Sequence, residues 1–124
     1  MPSPLPTESE LAILQVLWGS GASSVREVHQ ALDSSAGYTG VLKLLQLMAA
    51  KGLVRRDVSG RAHIYEAAEP RGQTEARLDR RLADRAFGGS TVSLAMRALS
   101  NERASPEELR QIRELLDKAE GTAP

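Results

Sequence analysis

The side chains with the most chemical reach in this sequence lie between Tyr38 and Tyr65. Thr39, Lys43 and Gln46 fall at helical spacing on the side away from an apolar stripe of Val41, Leu45 and Met48, so one helix face carries a hydroxyl, an ammonium and an amide. Such a face can hydrogen-bond to base edges in a major groove, where an amide matches adenine and an ammonium matches guanine. Tyr38 opens the same segment. Arg55, Arg56, Arg61 and His63 follow on an extended, glycine-containing stretch and suit phosphate oxygens or a neighbouring minor groove. Contacts of that kind attract any duplex and weaken with salt. Over this stretch Lys43, Lys51, Arg55, Arg56 and Arg61 face one acid, Asp57, although the whole chain is balanced at 16 Lys plus Arg and 16 Asp plus Glu. A polyanionic partner is therefore argued from the distribution of charge, since net charge says nothing. Taken singly, the hairpin cations also read as solvated charges that keep a strand edge from pairing.

Other chemistries find little support. The chain has no cysteine, which excludes disulfides and thiolate metal sites, and its two histidines, His29 and His63, lie far apart with no metal-ligand spacing. No nucleophile elbow, phosphate-binding glycine loop or convergent base and nucleophile is present, so the sequence predicts no enzyme, no metal and no cofactor. No apolar run approaches the roughly 20 residues that span a bilayer. The expectation is a cytoplasmic protein without direct membrane insertion.

The elements that must carry these residues can be read from caps and periodicity. Met1 to Pro6 holds three prolines and reads as an arm. Thr7-Glu8-Ser9-Glu10 fits a capping box ahead of Leu11, Leu14, Leu17 and Trp18, and Gly19-Ser20-Gly21 ends that helix. Ser24 with Glu27 caps a second, shorter helix carrying Val25, Val28 and Leu32, and Asp33 to Gly37 reads as a turn. A third helix opens at Tyr38-Thr39-Gly40, presents Val41, Leu42, Leu45 and Met48, and stops at Lys51-Gly52. Leu53 to Val58 and Arg61 to Glu66 are extended segments around Ser59-Gly60, a hairpin pattern whose register stays open because neither segment alternates cleanly. Three short helices and a basic hairpin make a winged helix-turn-helix.

Beyond Pro70 the pattern changes. Arg71 to Phe87 is rich in Arg and Asp with Ala76, Leu78, Leu82 and Ala86 as its apolar positions, and Gly88-Gly89-Ser90 closes it. Val92, Ala95, Met96 and Leu99 mark another helix. Ser105-Pro106-Glu107-Glu108 starts a last one, with Leu109, Ile112, Leu116 and Ala119 on its apolar face. Three such helices hold too little apolar material for an independent core. A second copy would supply the rest, making Leu78, Leu82, Phe87, Val92, Met96, Leu99, Leu109, Ile112 and Leu116 dimerisation residues; folding back onto the same chain is the alternative. The fold class expected is mostly α with a small β-hairpin (α+β): a winged helix-turn-helix over residues 1–70 and a helical dimerisation region over 71–124. A dimer would set two reading heads on a palindromic operator of double-stranded DNA.

From Thr7 to Glu120 the sequence resembles the penicillinase-repressor family of BlaI, MecI and CopY type. The resemblance is carried by Thr7-Glu8-Ser9-Glu10-Leu11, Val16-Leu17-Trp18, Ser24-Val25-Arg26-Glu27-Val28, Tyr38-Thr39, Leu45-Gln46, Lys51-Gly52-Leu53-Val54, Gly60-Arg61-Ala62-His63-Ile64-Tyr65 and Phe87-Gly88-Gly89-Ser90. It implies a homodimeric transcriptional repressor with a winged-helix head and a helical dimerisation tail. In well-known members a membrane sensor metalloprotease triggers cleavage within the dimerisation region. The comparable stretch is Ser93 to Leu99, around Met96, Arg97 and Ala98, for which an ordinary helix is the other reading. Gly40 and Lys43 stand where the family often has threonine, and Leu47 where it often has arginine, which implies a different operator. A cysteine-rich copper tail is excluded. Two alternatives stay open: a winged-helix regulator released by a small ligand, and a winged helix used for protein interaction.

Overall fold

Reciprocal caps start three of the helices. The Thr7 hydroxyl accepts from the Glu10 backbone while the Glu10 carboxylate accepts from the Thr7 backbone, opening α1 (Glu8–Ser20), which stops at Gly21 in a positive-φ conformation. Ser24 and Glu27 repeat the device at α2 (Val25–Ala31), and Ser105 and Glu108 at α6 (Pro106–Glu120). Among the described residues no side chain caps α3 (Tyr38–Lys51), whose N-cap is Gly37; its end is set by Gly52 in the left-handed region, whose N–H bonds back to the Ala49 and Met48 carbonyls. The computed structural model describes residues 4–32 and 36–121. Residues 1–3 of the expected arm and 33–35 of the expected turn lie outside the described residues.

The hairpin is present with altered bounds. Its strands are β2 (Val54–Asp57) and β3 (Ile64–Ala67), antiparallel, with Arg55 opposite Glu66, Arg56 opposite Tyr65 and Asp57 opposite Ile64. Ser59-Gly60 is therefore part of a 58–63 loop and not a tight two-residue turn. The cause is local: the Asp57 carboxylate accepts from the Ser59 N–H at 2.9 Å and from its hydroxyl at 2.7 Å, turning the chain out of register directly after the strand. A third strand, β1 (Ser23–Ser24), pairs with β3, so the sheet order is β1-β3-β2. Two residues are too few to leave a periodic signal in sequence.

The chain divides into two compact units, Met1–Leu78 and Asp79–Pro124. In the first, Ile13, Leu14 and Leu17 of α1, Val25 and Val28 of α2, and Val41, Leu45 and Met48 of α3 close over Leu53, Val54 and Tyr65 of the sheet region. Trp18 is half-buried at the edge of this core; its indole N–H donates to the Glu69 carbonyl at 3.0 Å, and the Arg71 guanidinium lies 5.6 Å from its ring. Around the same point the Glu69 carboxylate accepts from Thr74 at 2.6 Å and from Arg77 at 2.6 Å, fixing the start of α4 (Arg71–Ala86). The second unit holds the rest of α4, α5 (Thr91–Asn101) and α6, with Ala83 as its one buried hydrophobic among the described residues. Among the described residues no helix is long and apolar enough to cross a membrane.

Glu10 ties two helices of the first unit together. It is 1% exposed, and besides its capping role it accepts from the Lys51 ammonium at 2.7 Å, joining the start of α1 to the last turn of α3. Burial by itself would raise its pKa, but the Lys51 contact and the Thr7 bonds outweigh it and hold the carboxyl below its ordinary 4.5. Because the folded-state value is depressed, this contribution is complete above the unfolded value and is lost as pH falls through the folded one. Stability of the first unit should accordingly decline as the pH falls below about 5, and Glu10→Gln should flatten that decline while lowering stability at neutral pH. Urea unfolding across that range, followed through the single tryptophan Trp18, checks both effects; a decline of unchanged steepness in Glu10→Gln would assign it to other carboxylates.

Candidate nucleic-acid interface

The helical wheel of α3 divides as its sequence dictates. Val41, Leu45 and Met48 are buried, and Thr39, Lys43, Gln46 and Leu47 are exposed on the other sides. Tyr38 at the helix start packs edge-to-face on His29 of α2, ring centroids 6.1 Å apart at 81°. That contact orients the first turn of α3 against α2.

A groove of about 500 Å³ runs between α3, the start of α2 and the 58–63 loop. It is lined by Tyr38, Leu42 and Gln46 from α3, by Arg61, Ala62 and His63 from the loop, and by Ser24, Val25 and Arg26 from the α2 start. Four of the residues chosen from sequence, Tyr38, Gln46, Arg61 and His63, thus meet on one concave surface. Thr39 and Lys43 are not among its lining residues and stand exposed on the outer face of α3. Arg55 and Arg56 lie apart, lining a second hollow of about 360 Å³ with Ala22, Asp57, Ile64 and Glu66.

Not all the counted cations are available. Arg55 is held by the Glu66 carboxylate at 3.2 Å, directly across the strand pair, so a phosphate would compete with that carboxylate for it. Lys51 is engaged by Glu10. Arg26, Lys43, Arg56 and Arg61 make no ion pair among the described residues. Arg26 was not singled out by the sequence, because it lies outside the basic stretch and only folding carries the α2 start to the wing loop. Its position one residue inside a capped helix start is the signal that could have found it. Asp57 is the acid of the wing, and its bonds to the Ser59 hydroxyl and backbone hold its carboxyl below the usual range. Among the described residues no cluster of three or more His, Asp or Glu side chains could hold a metal ion.

In the second unit the residues nominated for dimerisation are largely uncovered. Val92 and Met96 are each 66% exposed; Leu82, Leu99, Leu109 and Leu116 are also exposed, and Phe87 and Ile112 are half-buried. Leu78, the remaining nominee, is half-buried at the end of the first unit. Leu115, beside Leu116, is 66% exposed too and extends the apolar face of α6, although the periodic reading passed it over. Met96, Arg97 and Ala98 are exposed in the interior of α5.

A family model described as the penicillinase repressor matches residues 6–118. A comparison with curated proteins gives no match. Among solved structures, the solution structure of apo-NmtR is similar over 64% of this chain at 26% identity, with a TM-score of 0.46. The matched region spans 63% of that structure's chain, under two thirds of its length.

Proposed function

The chain belongs to the penicillinase repressor family, and from that membership we propose that it is a DNA-binding transcriptional regulator, specifically a repressor that grips palindromic operators as a homodimer. The observation that carries the reading is the groove in which Arg26, Tyr38, Gln46, Arg61 and His63 converge beside the exposed face of α3. A helix of this width enters the major groove, where Thr39, Lys43 and Gln46 can reach base edges, while Arg26, Arg61, His63 and Arg56 reach for phosphate. The exposed apolar residues of α5 and α6 support self-association, since leaving Val92, Met96, Leu115 and Leu116 in water forfeits their burial. Its release by a protease cut around Met96, Arg97 and Ala98 belongs to the same proposal; helical backbone must open before a protease can hold it, so cleavage requires α5 to unwind locally.

The test is selection of bound sequences from a random duplex pool, with the protein's mass in solution measured on the same preparation. An enriched inverted repeat bound by a dimer is the expected result. A folded chain that enriches nothing at any salt would move the assignment to a winged helix used for protein interaction, and a monomer on a single half-site would remove the dimer from the reading.

A further inference from the structure

Three large apolar side chains of the first unit are exposed among the described residues, Tyr38, Leu47 and Val58; the others are buried or half-buried. Two stand on α3 and the third on the wing, the parts that would approach a duplex. Tyr38 is accounted for by its contact with His29. Leu47 is not accounted for by packing. It is 46% exposed, on the side of α3 away from Val41, Leu45 and Met48. Lys43 lies one turn before it, Gly40 two turns before it, and Gln46 is its neighbour in sequence. Among the described residues the place of a Cβ at Gly40 is open, with the Ala36 Cβ at 4.0 Å as the nearest atom outside the helix's own backbone, so their packing does not require a glycine there. Its effect is to keep the helix surface low along the stripe that carries Leu47, which favours close approach of a groove floor.

From this placement, and resting on the DNA reading above, we infer that Leu47 recognises the C5 methyl group of a thymine in each operator half-site, beside the bases met by Lys43 and Gln46. Thymine is the one base of the four that offers a methyl group in the major groove. A leucine placed against any other base edge would strip water from polar atoms and return no hydrogen bond. Against the methyl group it exchanges exposed apolar surface for apolar contact. Leu47 is then a specificity residue that selects a T·A pair without any hydrogen bond.

The experiment uses the full chain and the operator obtained by selection, with each thymine replaced in turn by deoxyuridine, which lacks only the methyl group. One thymine per half-site should stand out: its replacement should weaken wild-type binding about fourfold, the factor that corresponds to ~0.8 kcal/mol for one buried methyl-sized group, and leave Leu47→Ala binding unchanged. The base replacement does not touch the protein, so a folding defect cannot imitate the wild-type loss. Should Leu47→Ala not fold, Leu47→Gln, of similar size and polar, carries the same comparison. Methyl sensitivity at no thymine, or equal sensitivity in the Leu47 variant, overturns the inference while leaving the repressor reading intact. A wild-type chain that enriches no sequence overturns both.

Discussion

Leu45→Ala is expected to cost the first unit about 2–5 kcal/mol, the range for deleting a fully buried leucine side chain from a packed core. Leu45 has no solvent exposure and lies between Val41 and Met48 on the stripe that seats α3 against α1, α2 and the sheet region. With domain stabilities of about 5–15 kcal/mol, a loss of this size removes a large fraction of the total. The functional consequence follows from position, because Lys43 and Gln46 are carried on the same helix and are aimed only while that stripe is seated. Leu45→Met keeps the volume and should cost less than ~1.5 kcal/mol. Urea unfolding followed by Trp18 fluorescence, with DNA binding measured at the same temperature, checks the pair. A Leu45→Ala loss below about 1 kcal/mol would mean that α3 is held by something other than this packing.

Arg61→Ala and Gln46→Ala are expected to fail in different ways although both residues line one groove. Gln46 stands on a regular helix, which can hold its amide against a single base; its loss should cost ~1–3 kcal/mol on the cognate operator and little on random duplex. Arg61 sits in the 58–63 loop beyond the paired strands, suited to a phosphate, a contact blind to sequence. Arg61→Ala should therefore weaken binding to cognate and random DNA alike and lower the dependence of log K on log salt by about 1. Titrations of each variant on both duplexes at several salt concentrations separate the two patterns. Equal losses on both duplexes from both changes would remove the division of labour between helix and wing.

The exposed apolar residues of the second unit bear on the same reading. Val92, Met96 and Leu116 are each more than half exposed there, so burial within the chain leaves most of their apolar surface in water. A second copy is the occupant the proposal names, and the mass measurement described above decides it.

Much of this protein could be read directly from its residues. Capping boxes at Thr7, Ser24 and Ser105, the stop at Gly52, and the stripes of α1, α2 and α3 are local: each depends on side chains three or four positions apart, and a helix forms or ends on that scale. The face of α3 that carries Thr39, Lys43 and Gln46 was legible for the same reason. Only the tertiary structure decided which charged side chains stay available and which surfaces meet. Lys51 reads as part of a basic stretch, yet it is engaged by a carboxylate on another helix; Arg55 is engaged across a strand pair whose register no alternation marked; Arg26 joins Arg61 and His63 from a separate part of the chain. Ion pairs and grooves depend on distances between residues remote in sequence, and those distances exist only once the apolar stripes have been buried against one another.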